Sequence, residues 1–460
     1  MEAVDTIAAI ATPAGIGGIG VVRLSGPQTL AIVQQAFVRP NGRPLARLES
    51  HRVYYGYVVD VAGERVDEAL LCVMRRPRSY TREDVAEISC HGGLVTTQRV
   101  LDAVLARGAR VAEPGEFTKR AFLNGRLDLT QAEAVADLIH ARTVASHRAA
   151  LRQLAGELSR RVRALREPLL QVSVYLEASI DFPEEDLELL AEGALAERLA
   201  EVAAQLRRLL ATYARGRALH EGVTAAIVGR PNVGKSSLLN ALLGRERAIV
   251  SPQPGTTRDT IEATLALEGL LVRLVDTAGL RATTEAIEQE GVRRARAALE
   301  EAELVLLVLD TSQALSDDDR RLLAETAGKP RLLVCNKCDL PPQWAPQALA
   351  ALAPEAPVLA VSARTGEGLP ALERALVQQV FGPAALAQDE VVLTRARHWQ
   401  SLDAALRHVE AARQGLGEGL PVECVAFEVS EALQRLAEVL GERCTGEVLE
   451  RIFSSFCIGK

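Results

Sequence analysis

Aromatic residues are scarce in this sequence, at 3% of 460 positions, with only two tryptophans and two methionines. Burial must therefore fall to aliphatic side chains, and a hydrophobic content of 48% supplies enough for the cores of about three domains. An excess of positive charge is also missing. The net charge of −7 and pI near 5.7 argue against a broad nucleic-acid surface, so any RNA contact must come from local basic patches or a partner. No apolar run approaches bilayer length, and the start Met1-Glu-Ala-Val-Asp5 lacks the basic segment of a secretory signal. The expectation is a cytoplasmic protein with no stable membrane insertion. Cysteine is sparse and dispersed, at 72, 90, 335, 338, 424, 444 and 457, an odd set that predicts reduced thiols and not a disulfide framework. Cys335 and Cys338 have CxxC spacing, but no second pair exists to complete a metal site. Cys457 is the fourth residue from the end, with Lys last and no polybasic run before it, which argues against a lipid anchor.

What is present centres on Gly229-Arg230-Pro231-Asn232-Val233-Gly234-Lys235-Ser236, a G-x-x-x-x-G-K-[ST] pattern after the apolar run Val223 to Val228. The glycines let backbone N–H groups face a phosphate chain, Lys235 reaches the outer phosphates, and the Ser236 hydroxyl suits Mg²⁺. The run from Ser237 to Leu243 reads as the helix whose N-terminus faces those phosphates. Further on, Thr257 in Pro254-Gly-Thr-Thr-Arg-Asp259 is a candidate switch I residue, with a hydroxyl for Mg²⁺. Asp276-Thr-Ala-Gly279 follows a strand-like run and is a candidate switch II, with Gly279 N–H sensing the γ-phosphate. A buried run ending at Cys335 leads into Asn336-Lys337-Cys338-Asp339. A carboxylate at 339 accepts from N1–H and the 2-amino group of guanine, a donor pair adenine lacks. Asn336 and Lys337 would hold the loop and lie over the base. The strand before Ser362-Ala363-Arg364 would offer the Ala363 N–H to the guanine oxygen. Leu280 stands where Ras-like GTPases carry a water-orienting Gln; Glu288 is a candidate for that task, with Arg258 and Arg281 as arginine-finger candidates or ordinary exposed charges.

The N-terminal region reads as α+β. Strands are expected at Thr6–Ala11, Gly20–Leu24, Arg52–Val59 and Ala69–Met74, and helices at Pro27–Ala36 and Gly93–Arg107. Gly15, Gly17 and Gly20 match G-x-G-x-x-G, but a strand follows where a dinucleotide site needs a helix. Glu83, Asp84, Glu87 and His91 cluster in one segment; solvated loop carboxylates and a hydrogen-bonded His are the plainer reading. From about residue 121 a helical period takes over, with Leu195, Leu199, Val202, Leu206 and Leu209 at steps of four and three. Arg148, Arg152, Arg160, Arg161, Arg163 and Arg166 make one helix basic, an RNA or partner face or, more simply, a solvated one. The helical pattern resumes near Leu386 and runs through Leu402, Leu406, Val409, Val425, Val429, Leu433, Leu436 and Leu440, so the phosphate-binding region is expected to be inserted between two halves of one bundle.

These motifs, with Pro114-Gly-Glu-Phe-Thr-Lys-Arg-Ala-Phe122, Asp181-Phe-Pro-Glu-Glu185 and Phe456-Cys-Ile-Gly-Lys460, closely resemble the MnmE (TrmE) family of tRNA modification GTPases across essentially the whole chain. The resemblance implies a multidomain α/β protein with a Ras-like, TrmE-Era-type P-loop GTPase domain inserted in an α-helical bundle. It divides the chain into an α+β folate-binding and dimerisation domain (1–120), a first helical half (121–216), a G domain (217–382) and a second helical half (383–460). It implies a homodimer that works with the flavoprotein MnmG, as a heterotetramer, to place (carboxymethyl)aminomethyl groups at C5 of wobble uridine in tRNA. The one-carbon unit would come from 5,10-methylenetetrahydrofolate or a related tetrahydrofolate, with FAD and NADH supplied through the partner. The implied GTP site comprises Asn232, Val233, Gly234, Lys235, Ser236, Ser237, Ser251, Thr256, Thr257, Asp276, Gly279, Asn336, Lys337, Asp339, Ser362, Ala363 and Arg364. Mg²⁺ would be held by Ser236 and Thr257, and K⁺ by Asn232, Ser251, Gln253 and Thr256. Glu288 orients water, with Thr257 and Gly279 beside it. Folate would use Arg23, Glu87, Arg126 and Lys460, the last having to reach the N-terminal domain, and Cys457 matches a cysteine considered for the modification chemistry. A ribosome-assembly GTPase is the alternative reading; its usual RNA-binding module is replaced here by acidic or mixed flanks. A folate-dependent one-carbon enzyme with a regulatory G domain is a third.

Overall fold

A computed structural model describes residues 5–45, 47–182, 192–245, 262–276, 299–382 and 391–460. They form two compact units, one of residues 1–139, 153–202 and 407–460, the other of residues 140–152 and 203–406. Among the described residues, no helix is long and apolar enough to cross a membrane.

The first unit holds a seven-stranded sheet: β1 (Ile7–Ile10), β2 (Ile19–Ser25), β3 (Phe37–Val38), β4 (Arg52–Val59), β5 (Arg65–Met74), β6 (Val85–His91) and β7 (Arg110–Val111), in the order β3-β4-β5-β6-β2-β1-β7. Strands β1 and β2 pair antiparallel, so Gly15 and Gly17 lie in their connection and Gly20 in β2, and no helix begins there. Alternation sends Val22 and Leu24 of β2 into the core, where helices Thr29–Ala36 and Leu94–Leu105 cover them with Ile32, Val33, Val100 and Val104. Arg23 lies on the opposite face. Strand β6 corrects the reading of Glu87 as a solvated loop residue. Ala86, Ile88 and Cys90 are buried on one side of it, and Glu87 is half-buried on the other. The acids around it mask a period of two.

Helices Glu157–Asp181 and Val422–Leu440 pack together in this unit, although the nucleotide segment separates them in sequence. Val425, Val429, Leu436 and Leu440 are buried, while Leu433 is partly covered. The basic run is divided between two helices by Gly156, at φ +80°, and two of its members are paired: Arg163 with Asp128 and Arg166 with Glu442. The run therefore does not make one helix basic: Arg148 and Arg152 stand on the first helix, and Arg160, Arg161, Arg163 and Arg166 on the second. In helix Glu192–Ala211, Leu195, Leu199, Val202, Leu206 and Leu209 are all buried.

The second unit is built on six strands: β8 (Val223–Val228), β9 (Glu262–Leu267), β10 (Leu270–Asp276), β11 (Leu304–Asp310), β12 (Arg331–Asn336) and β13 (Val358–Ala360), in the order β13-β12-β11-β8-β10-β9. All pairings are parallel except β9 with β10. Strands β11 and β12 are buried along their whole length, as expected of a parallel sheet covered on both faces. The chain passes from β10 to β11 across β8, so the strand order reverses at β8, the place where sheets of this kind bind ligands at the carboxyl ends of their strands.

Candidate functional site

Strand β8 ends at Val228 and the helix begins at Lys235 and runs to Arg245, leaving the six residues Gly229 to Gly234 as the turn between them. Gly234, at φ +98°, is required there: a Cβ would lie 2.3 Å from Asn336 Nδ2. Lys235 Nζ donates to the carbonyls of Gly229 at 2.7 Å and Arg230 at 2.8 Å, folding the ammonium back over the turn. Ser236 and Ser237 are exposed in the first turn of the helix, where the N-terminal N–H groups and the helix dipole favour an anion. Asn232 is exposed at φ +62°.

Asn336, last in β12, binds two loops at once. Its Nδ2 donates to Val233 O at 2.8 Å, and its Oδ1 accepts from Ala363 N at 3.1 Å. The Ala363 N–H expected to face a guanine oxygen is thus engaged by Asn336 here. Lys337, at φ +64°, donates from Nζ to Asn232 O at 3.0 Å and to Asp310 Oδ2 at 2.6 Å. Asp339 Oδ1 accepts from Ser362 Oγ at 2.6 Å, while Oδ2 accepts from Arg364 Nε at 2.9 Å and Nη2 at 2.5 Å. Ser362 first, then Arg364, hold the Asp339 carboxyl below its ordinary range. Burial pushes the Cys335 thiol up to about 12, so the CxxC spacing is a strand end leading into the base loop and not a thiolate pair.

Two acidic residues here, Asp310 and Asp319, escaped the sequence reading. Asp310 ends β11 beneath Lys337. Burial opposes its ionisation, but Lys337 and Ser312 outweigh that and hold its carboxyl below the usual range. Arg230 Nε donates to Asp319 Oδ1 at 2.7 Å, and Asp319 is buried in the capping box that opens helix Asp317–Glu325 with Ser316. The Ser316-x-x-Asp319 spacing was the available signal. Ser251, Gln253, Thr256, Thr257, Arg258, Gly279, Leu280, Arg281 and Glu288 lie outside the described residues. Asp276 closes β10 opposite Ile227 of β8, but its side chain also lies outside them.

The second set of candidates gathers in the first unit. Arg23 Nε and Nη2 each lie 2.8 Å from Glu87 Oε1, its register partner on β6, and its Nη1 donates to Gly459 O at 3.2 Å. Arg126 lies over the Tyr80 ring at 4.7 Å, with Arg23 5.8 Å from the same ring. The chain end docks beside them: Phe117 N donates to Lys460 O and Gly115 N to Cys457 O. Cys457 is exposed. Glu83 corrects the solvated-carboxylate reading, since it accepts from Ser25 Oγ at 2.6 Å and pairs with buried Arg120. His91 is exposed and hydrogen-bonded to Asp67, which raises its pKa. Among the described residues, no group of His, Cys, Asp or Glu is arranged to hold a metal ion, and none of the seven cysteines forms a disulfide.

A family model described as the MnmE helical domain matches residues 129–457, and one described as the N-terminus of the GTP-binding protein TrmE matches residues 6–126. The chain belongs to the MnmE (TrmE) family. The tRNA modification GTPase MnmE of Moorella thermoacetica is 50% identical to it over 99% of both chains, and that of Geobacter sulfurreducens is 48% identical over 99% of both. The Lactiplantibacillus plantarum MnmE is 47% identical, over 99% of this chain and 98% of its own. Among solved structures, the G domain of the T. maritima FeoB iron transporter is 29% identical, covering 34% of this chain and 98% of that one, with a TM-score of 0.28. The MnmE helical match begins before β8 and ends after β13, so the six-stranded sheet is an insertion in chain order within MnmE helical sequence.

Proposed function

We propose that the chain hydrolyses GTP to GDP and phosphate as part of tRNA modification. The observation that carries this reading is the convergence of the phosphate loop, Asn336, Asp339 and Ser362 at the carboxyl edge of one parallel sheet. Lys235 would meet charge on the outer phosphates, and the helix N-terminus would add N–H groups to it. Asp339 would select guanine, because adenine leaves that carboxylate unpaired. Ser236 and Thr257 would hold Mg²⁺, and Asn232, Ser251, Gln253 and Thr256 a K⁺; a bound cation there stabilises charge on the transferring phosphoryl group. Exposed Asn232 and Ser236 at the loop are consistent with oxygen ligands for such ions. Glu288, with Thr257 and Gly279, would orient the attacking water in place of Leu280.

The finer reading is wobble-uridine modification with MnmG in the cytoplasm, using a tetrahydrofolate one-carbon unit, FAD and NADH through that partner, and a homodimeric chain of the four segments expected from sequence. The donor set around Arg23 supports the folate part. A half-buried carboxylate at Glu87 suits the amino-pyrimidine edge of a pterin, Tyr80 suits its ring, and Arg126 and Lys460 suit an anionic tail. Ile19, Val53, Tyr55 and Leu70 are exposed on the same sheet face as Arg23 and Glu87, which supports a second copy covering that face. Cys457, exposed at the docked chain end, is the candidate for the modification chemistry. Nucleoside analysis of tRNA from cells lacking the gene tests the proposal. Loss of aminomethyl-type groups at wobble uridine is expected; unchanged tRNA with immature ribosomes would favour the ribosome-assembly alternative.

A further inference from the structure

We propose that Arg364 is a built-in competitor for the guanine base: its guanidinium holds the Asp339 carboxylate that the base must engage, so the ion pair and the bound base exclude one another. The inference rests on the guanine reading above and adds to it a control on nucleotide affinity.

Guanine addresses a carboxylate through N1–H and the 2-amino N–H, two donors carried on one N–C–N unit. A guanidinium carries the same unit. Here Nε and Nη2 of Arg364 both donate to Oδ2 of Asp339, at 2.9 Å and 2.5 Å, while Ser362 Oγ donates to Oδ1 at 2.6 Å. Ser362 leaves a second lone pair of Oδ1 available, but Arg364 fills both directions of Oδ2. A base edge that places one N–H on each oxygen must therefore displace Arg364. The displacement needs only a side-chain swing. The Arg364 side chain is 74% exposed against 10% for Asp339, so the guanidinium regains water as it leaves. The backbone beneath it is held by Thr365 N on Ser362 Oγ and Gly366 N on Ser362 O, and stays in place.

Apparent affinity falls by the fraction of molecules in which the carboxylate is open. For an ion pair this exposed, that factor is at most about fivefold. Arg364→Ala is expected to tighten GDP and GTP binding by about threefold, by the same factor for each because both carry the same base. The difference from the wild type should fade as salt rises from about 0.05 M to about 0.5 M, because the pair is screened. Arg364→Lys, which keeps the charge but loses the paired donors, should fall between the two.

The measurement is titration of the full chain with fluorescent GDP and GTP analogues at both salt levels. Xanthosine diphosphate is titrated against Asp339→Asn with and without Arg364→Ala, where the second substitution should change nothing because the carboxylate is gone. Weaker or unchanged GDP binding in Arg364→Ala would overturn the proposal, the first result making Arg364 an attractive contact on the base. Failure of the guanine reading has a different signature: wild-type chain that binds adenine and guanine nucleotides alike.

Discussion

Asn232 sits at φ +62°, in the left-handed region that Asn tolerates better than most side chains. This decides how its role should be tested. Ala at that position adds backbone strain of about 1 kcal/mol to any loss of ligation, whereas Gly removes the side-chain oxygen without strain. Wild-type chain is expected to hydrolyse GTP at least about tenfold faster in K⁺ than in Na⁺, and Asn232→Gly to lower the K⁺ rate to the Na⁺ rate. Equal wild-type rates in the two salts, measured by phosphate release, would remove the cation from the mechanism. The motif residues around Asn232 were legible because their spacing is local and each backbone turn demands a residue type. Asp310 and Asp319 were not, since their partners Lys337 and Arg230 lie 27 and 89 positions away. Only the fold brings them within hydrogen-bond reach.

Strand ends organise the site at the scale of elements. Strands β11 and β12 stop at Asp310 and Asn336, and Lys337 then ties both to the phosphate loop through Asp310 Oδ2 and Asn232 O. Lys337→Met is expected to destabilise the chain by about 2 kcal/mol at pH 7, because a buried carboxylate loses a charged donor. The pH dependence follows from the depressed Asp310 pKa. In the wild type its contribution is complete above the ordinary carboxylate pKa and is lost as pH falls through the lower folded value. In the variant only Ser312 still opposes burial, so that carboxyl sits higher than in the wild type and less stability is lost when it protonates. The stability gap should therefore hold from pH 7 down to the ordinary carboxylate range and narrow as pH falls below it in urea unfolding, and a gap independent of pH would exclude the electrostatic account. Both strands were readable as unbroken apolar runs. Strand β6 was obscured because Glu83, Asp84 and Glu87 drew attention away from its alternation, which burial makes plain.

At the scale of the whole molecule, the chain end returns to the first sheet. Gly459, at φ +89°, approaches so closely that a Cβ would lie 2.6 Å from Ile10 O, and its carbonyl accepts from Arg23. Gly459→Ala should cost about 1–3 kcal/mol of this docking through strain and contact. Faster removal of the last residues by carboxypeptidase is expected, with GTP hydrolysis unchanged; wild-type protection in the variant would show that the tail is held elsewhere. The sequence by itself determined the nucleotide chemistry, the α+β and helical character of the flanks and the family, because local spacing specifies turns, periods and donor types. Tertiary structure alone decided which partners those groups meet: Arg364 on Asp339, Lys337 on Asp310, Glu87 and Gly459 on Arg23. Strand order and register bring distant residues together, and no local pattern encodes either.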